Sequence, residues 1–247
     1  MADNQEAVTL PIVESFVAPQ GEGLYTGTLM MFIRLAGCTV GKEWTYQTAD
    51  KANRLGVFPE VFGSNKCCTL YDGRTFCCDT DYEMAYKPTI DDLIKSILAS
   101  GVHYVCITGG EPLMHAKALT SLTTAPVLRF VEFHLETSGT VDTADPFVQR
   151  VLETTFVTVS PKLGYRDGGY TPIALEAKLL VDEDFDIDKI PPILRQRGES
   201  SRLLVYLQPV NGVHTINDAN MKRCLDLQQK YPWLRISTQA HKLWNTR

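Results

Sequence analysis

The sequence contains no apolar run approaching the ~20 residues that a membrane-spanning helix needs, so no membrane partner is expected. Its start, MADNQEAVTLPIVESF, has neither the basic segment nor the apolar core of an export signal, and a cytoplasmic protein is the expectation. There is no surplus of positive charge. The net charge of −5 argues against a broad nucleic-acid surface. Internal repeats and low-complexity linkers are absent as well, so nothing divides the chain. What remains is ordinary for a soluble globular protein, with 44% hydrophobic and 21% charged residues. A chain of 247 residues builds one substantial core without forcing a second, and residues 1–247 are expected to form a single domain.

Cysteine, by contrast, is plentiful and uneven. Cys38, Cys67, Cys68, Cys77 and Cys78 fall in one stretch, with Cys106 and Cys224 apart. In a reducing compartment such crowding points to metal or redox chemistry rather than to disulfides. Cys106 lies in the apolar run HYVCI and Cys224 in a helix-like segment, and both read as buried small hydrophobes. His103, His115, His134 and His214 share no ligand spacing and read as structural or exposed.

The first strand expected is LMMFIRLA (29–36), ending at Gly37-Cys38; residues 41–76 are polar and weakly periodic and read as a long loop with one short helix at most. Thr89 caps a helix whose residues Ile90, Leu93, Ile94, Ile97 and Leu98 share one face. Strand-like runs HYVCITG, FVEFHLET, FVTVS, LEAKLLV, RLLVYLQP and LRIST follow, separated by helical segments such as DIDKIPPILRQ and DANMKRCLDLQQKY. Alternation of this kind predicts a largely parallel sheet, open or curled into a barrel. Function in such folds gathers at the carboxyl ends of the strands. Cys38, Gly109-Gly110-Glu111, Glu136-Thr137-Ser138, Ser160-Pro161-Lys162 and Gln208-Pro209 all fall there.

The phrases PQGEG (19–23), FIRLAGC (32–38), CDT (78–80), TGGEP (108–112), ETSGT (136–140), TVSPK (158–162), LQP (207–209) and QAHK (239–242) occur in that order. A GGEP alone is an ordinary turn, but the ordered set resembles the 7-carboxy-7-deazaguanine synthase family of radical-SAM enzymes. The likeness runs from about residue 14 to the C-terminus, interrupted by the loop after Gly41. It implies an α/β fold, an incomplete (β/α) barrel of radical-SAM type with a mostly parallel sheet. It implies a 4Fe–4S cluster, S-adenosylmethionine (SAM) and Mg2+ as cofactors. The implied reaction is ring contraction of 6-carboxy-5,6,7,8-tetrahydropterin to 7-carboxy-7-deazaguanine with release of ammonia. A reductant such as flavodoxin or ferredoxin and a homodimer follow by the same analogy.

Such an enzyme needs three thiolates, soft and anionic, to hold the cluster and leave one iron for the amino and carboxylate groups of SAM. Here the sequence departs from the family. Its compact cysteine spacing, read from Cys38, falls on Lys42 and Thr45, and a terminal C-x-x-C read back from Cys78 falls on Thr75. Cys38 and Cys78 match by context, in LAGC and CDT. The middle ligand must come from an inserted cluster-binding loop at about 41–77, where Cys67, Cys68 and Cys77 compete. Successive side chains of an extended segment point oppositely, which disfavours Cys77 beside Cys78. Cys68 is chosen over Cys67 because its path to Cys78 passes the turn-like YDGR.

The resemblance places Gly110 and Glu111 at the methionyl end of SAM, Glu111 facing the amino group, and glycines permit close backbone approach there. Ser160, Pro161 and Lys162 take the carboxylate and ribose end, with Glu136 and Ser138 nearby and Cys77 and Asp79 beside the cluster. Arg34 matches the clamp for the pterin carboxylate. A guanidinium in an apolar strand is costly unless paired, which makes its position informative on its own. Pro19, Gln20, Gly21, Thr108 and the stretch Gln208, Pro209, Val210, Asn211 match other pterin contacts. Glu22 is expected at the guanidine-like ring edge, and His241 is expected in the site through QAHK. Thr80 matches the magnesium position, sensible only if substrate oxygens and water complete the octahedron. Two alternatives compete. One is a zinc-stabilised, non-catalytic binding protein using Cys67, Cys68, Cys77 and Cys78, although zinc sites favour C-x₂₋₄-C and would leave TGGEP and VSPK unexplained. The other is a different radical-SAM reaction such as glycyl-radical activation, against which PQGEG and LQP count.

Overall fold

The computed structural model describes residues 7–43, 66–78, 83–212 and 215–244. Its centre is an eight-stranded sheet in the order β1-β2-β6-β7-β8-β9-β10-β11. These are β1 (Ile12–Pro19), β2 (Leu29–Leu35), β6 (Tyr104–Gly109), β7 (Glu132–Thr137), β8 (Phe156–Val159), β9 (Glu176–Val181), β10 (Leu204–Pro209) and β11 (Leu234–Ile236). From β2 onward every neighbouring pair is parallel, while β1 lies antiparallel to β2. The expected mostly parallel α/β sheet is therefore present. The chain segments beyond its two edges meet. Gly23 N donates to Ser237 Oγ (3.2 Å) and Ala240 N donates to the Gly21 carbonyl (2.8 Å), so the sheet curls into a partial barrel.

Helices cross between successive parallel strands, as the geometry of such connections requires. α1 (Ile90–Ser100) shows how the sequence sets one of them. The Thr89 hydroxyl accepts from Asp92 N (3.2 Å), Asp91 and Asp92 favour the first turn, and Gly101 in a left-handed conformation ends the helix. Ile90, Leu93 and Ile97 are buried against the sheet, whereas Leu98, expected on the same face, lies at the edge of the stripe and is half exposed. The segment read as one helix, DIDKIPPILRQ, is instead a single turn (Ile187–Lys189) followed by a helix Pro192–Glu199. Pro191 and Pro192 lack N–H groups and exclude a helical residue before them, so the helix begins at Pro192. The sequence reading also missed β1, whose interior carries Glu14 and Ser15 and shows no apolar run. Among the described residues no helix is long and apolar enough to cross a membrane.

The stretch expected to be a loop is ordered differently at its ends. Lys42–Glu43 (β3), Lys66–Thr69 (β4) and Thr75–Cys77 (β5) form a second, antiparallel sheet of three short strands. The β4–β5 hairpin turns through Gly73, at φ +88, and is pinned onto the barrel by Arg74 and by a backbone bond from Leu163. Arg74 donates from Nε to Asp72 (2.7 Å), from one terminal nitrogen to Asp182 Oδ1 (2.5 Å) and from the other to the Leu180 carbonyl (2.9 Å). Its guanidinium also lies over the Phe76 and Phe185 rings. Leu163 N donates to the Thr69 carbonyl (2.9 Å), so the hairpin rests across the carboxyl ends of β8 and β9. Removing one partner of a buried ion pair costs about 3 kcal/mol because the other charge stays buried. Arg74→Ala should lower stability by that order and speed amide exchange at Leu70 and Leu163; unchanged exchange at both would show that other contacts hold the hairpin.

Candidate active site

A cavity of about 370 Å³ opens at the carboxyl ends of the parallel strands, the place where such sheets bind ligands. Cys38, Cys68 and Cys78 line it, the first from the loop after β2 and the others from the hairpin. Cys67 pairs across the hairpin with Cys77, and Cys68 with Phe76. Strand alternation therefore separates Cys67 from Cys68: Cys67 is buried and absent from the cavity wall, which Cys68 joins with Leu70 and Phe76. Of Cys77 the structure describes the backbone, and Asp79 and Thr80 lie outside the described residues. Among the described residues no three Cys, His, Asp or Glu side chains converge closely enough for a single metal ion. One ion needs all its ligands around a single point. A 4Fe–4S cubane takes each thiolate on a different iron, so thiols spread around one cavity are compatible with it. Cys106 and Cys224 are fully buried, and burial pushes the Cys106 thiol well up and that of Cys224 to about 12.

The Cys38 loop and the TGGEP turn are built against each other. Gly110 N donates to the Leu35 carbonyl (3.2 Å) and Glu111 N to the Gly37 carbonyl (2.8 Å). A Cβ on Gly110 would lie 1.9 Å from the Gly37 oxygen and 2.9 Å from Cys38 Cβ, so only glycine fits. Gly110 reaches the cavity wall, and Glu111 does not. The Glu111 carboxylate is completely buried and accepts from Leu113 N (3.0 Å), Thr137 Oγ1 (2.8 Å), Ser138 N (2.8 Å) and the Ser138 hydroxyl. These donors fill the acceptor positions of the carboxylate, which fixes Ser138, and Ser138 does line the cavity. Pro161 is also buried away from the cavity, between Ser160 and Lys162 on the wall. Lys162 Nζ donates to Ser160 Oγ (2.7 Å).

The residues expected around a pterin come together. Pro19, Gln20, Gly21, Glu22, Arg34 and Thr108 line the cavity, as do Gln208, Pro209, Val210, Asn211 and His241. Arg34 Nε donates to Glu14 Oε1 (3.0 Å), so the strand guanidinium has its counter-charge. Phe16 and Phe32 stack beside it at 5.2 Å between centroids and share the wall. Neither was foreseen.

Nor was Lys178, the centre of the site's electrostatics. Its buried ammonium donates to Glu22 Oε2 (2.6 Å) and Glu136 Oε1 (3.0 Å). Glu22 Oε1 accepts from the Gln208 and Gln239 amides (3.0 and 3.1 Å), and Gln239 in turn accepts from Asn211 (3.2 Å). Glu136 also accepts from Gln20 (3.4 Å) and the Thr108 hydroxyl (3.1 Å). Its bonds thus run to Gln20 and Thr108, two residues expected at the substrate, although Glu136 itself is expected beside SAM. Burial alone would raise the Glu22 pKa, but the Lys178 charge and bond, with His241 and Gln239, hold it down to about 2. Burial would lower that of Lys178, but Glu136, Glu22 and Glu176 keep it well above the usual lysine value. Gln208 Oε1 is buried with no protein partner, an acceptor left for a ligand. Lys178 carried the signal already used for Arg34, a cation inside an apolar strand. Gln239 opens the QAHK phrase, of which His241 alone was expected in the site, and it adopts a positive φ of 53.

No family model matches the sequence. The chain is 32% identical over 245 residues to the 7-carboxy-7-deazaguanine synthase of Escherichia coli strain K12, covering 95% of this chain and 98% of that protein. It is 29% identical to the enzyme of the same name from Synechocystis, covering 97% and 95%. The crystal structure of QueE from Escherichia coli superposes with a TM-score of 0.59 at 26% identity, over 93% of each chain.

The Lys178 pairing carries a pH signature of its own. Glu22 lies below its ordinary 4.5 in the folded protein, so its stabilisation is present above that value and is lost as pH falls towards about 2. Glu22→Gln should cost about 3 kcal/mol at neutral pH, and the gap to wild type should close on acidification in urea unfolding. A gap constant from neutral pH down to the acid limb would show that the ion pair is not its source.

Proposed function

The chain belongs to the 7-carboxy-7-deazaguanine synthase family of radical-SAM enzymes, and we propose that it contracts 6-carboxy-5,6,7,8-tetrahydropterin to 7-carboxy-7-deazaguanine, releasing ammonia. The observation carrying this reading is that three cysteines from two separate elements share one cavity with Arg34, Thr108, Glu136 and Gln208. We assign Cys38, Cys68 and Cys78 as ligands of the 4Fe–4S cluster. When bound, the cluster and SAM would supply the radical chemistry for hydrogen abstraction from the pterin.

The chain's own residues bind, orient and exclude water. The Gly109-Gly110 backbone borders the methionyl end of SAM, backed by the Glu111–Ser138 bonds. Lys162, steadied by Ser160, supplies positive charge for the SAM carboxylate. Glu14 fixes the Arg34 plane through Nε, and the terminal guanidinium nitrogens offer the fork that a pterin carboxylate accepts. The Phe16–Phe32 stack gives that region an apolar wall, which strengthens the polar contacts beside it. Thr80 is proposed as a magnesium ligand together with substrate oxygens. The same reading gives a cytoplasmic enzyme, a homodimer, and flavodoxin or ferredoxin as reductant. A zinc-stabilised binding protein fits less well. Cys67 and Cys68 are neighbours on a strand and do not share the cavity.

Two experiments test the assignment. Anaerobic reconstitution should give about four irons per chain; Cys68→Ala should abolish cluster assembly and SAM cleavage while Cys67→Ala largely preserves both. Stoichiometric zinc without charge-transfer absorption would sink the radical-SAM reading, and the reverse cysteine pattern would move the middle ligand to Cys67. Arg34→Lys keeps the charge and loses the fork, so pterin affinity should fall about tenfold or more with SAM binding intact. Wild-type pterin affinity in that variant would reduce Arg34 to a structural residue.

A further inference from the structure

We propose that Lys178 is a positioning residue of this site, its ammonium pairing with Glu22 and Glu136 and aiming them so that both carboxylates accept from the N–H edge of the pterin ring. The inference deepens the pterin reading and rests on it. An ionised carboxylate has about four acceptor positions. At Glu22, Lys178, Gln208 and Gln239 fill three. At Glu136, Lys178, Gln20 and Thr108 fill three. Each carboxylate keeps one acceptor position, on Oε2 in both cases, and both residues line the cavity. The unpartnered Gln208 Oε1 lines it too, its orientation fixed because its amide nitrogen donates to Glu22. A 2-amino-4-oxopyrimidine edge presents the complementary set, an exocyclic amine and a ring N–H.

The arrangement stands only while both carboxylates are charged, since a protonated one would donate where the ring also donates. Two carboxylates sharing one buried nitrogen repel each other strongly without it, and one would take up a proton. The other groups around Lys178 do not replace its charge. Glu176, on the same strand, adds negative charge and is occupied by Leu24 N and Thr158. Arg34 is paired with Glu14. Cys106 is buried and neutral. Tyr206, the register partner of Lys178 on β10, carries no positive charge. His241 lies on the Glu22 side of the cavity, packed against Gly21, where it adds to the positive field on Glu22 behind that of Lys178.

The test is equilibrium binding of 6-carboxy-5,6,7,8-tetrahydropterin to anaerobic cluster-loaded enzyme without reductant, from about pH 6.5 to 8.5, the window a raised carboxyl pKa would enter. Wild-type affinity should be level over this range. Lys178→Met should bind at least about tenfold more weakly at the acid end and recover as pH rises, because the unpaired carboxylates ionise only there. Lys178→Gln, which retains volume and a donor, should show the same slope and carries the test if the methionine variant does not fold. Lys178→Arg should keep a level profile whatever its absolute affinity. Wild-type affinity in the neutral variants, or a weakening equal at every pH, would overturn the role given to Lys178. A wild-type enzyme that binds no pterin would instead overturn the substrate reading itself.

Discussion

An ammonium group buried in the middle of a parallel strand stays charged only with anionic partners, because an isolated charge there costs several kcal/mol against a whole stability of about 5–15 kcal/mol. Lys178 imposes that requirement, and the upper layer of the barrel is arranged around it. Glu22 arrives from the turn after β1 and Glu136 from β7. Their remaining acceptor positions then orient Gln20, Thr108, Gln208 and Gln239, and Gln239 holds Asn211. Six segments of chain are thereby tied to one nitrogen. The glycine of the Glu22 turn follows from the same crowding. A Cβ on Gly23, at φ +66, would fall 2.1 Å from the Glu176 carboxylate, so only glycine lets that turn reach the barrel mouth.

The opposite side of the site is held by a different acid and a different logic. Glu111 touches no cavity, yet its four bonds fasten the TGGEP turn to the end of β7 and set Ser138. Gly110 then packs on the Gly37 carbonyl beside Cys38. Motif residues thus divide into those that face the cavity and those that hold the first group still, and only the bonding pattern separates them. Gly110 and Glu111 are adjacent in sequence and fall on opposite sides of this division.

What could be read beforehand follows the strength of local signals. Parallel strands such as YVCITG and LLVYL are short apolar runs because both faces are covered, and Thr89 with its two aspartates marks a helix start by chemistry alone. The sheet class and the clustering at strand ends were therefore legible. The edge strand β1 was not, since half of it faces solvent and carries polar residues. The β4 and β5 strands are too short for alternation to register, and their pairing depends on contacts with the barrel. Lys178 was overlooked although its setting matched that of Arg34, because it lies in no motif and its partners are 156 and 42 residues away. Long-range charge pairing leaves little trace in a local pattern.

That distinction explains how a chain can depart from its family's cysteine spacing and still present thiols to the same cavity. In the compact family pattern the sequence interval itself delivers the ligands. Here Cys68 and Cys78 ride on a hairpin whose position is set by tertiary contacts: Arg74 to Asp182 and Leu180, and Thr69 to Leu163. Strand pairing fixes which cysteines share a face, and the barrel fixes where that face looks. Each doubling of a flexible loop costs only about 0.6 kcal/mol, far below what the buried Arg74 pairings represent. Spacing is free to vary once anchoring has passed from the interval between cysteines to the elements that carry them. In this chain the hairpin seated over β8 and β9 sets where the thiols look, and the number of residues needed to reach that seat is secondary.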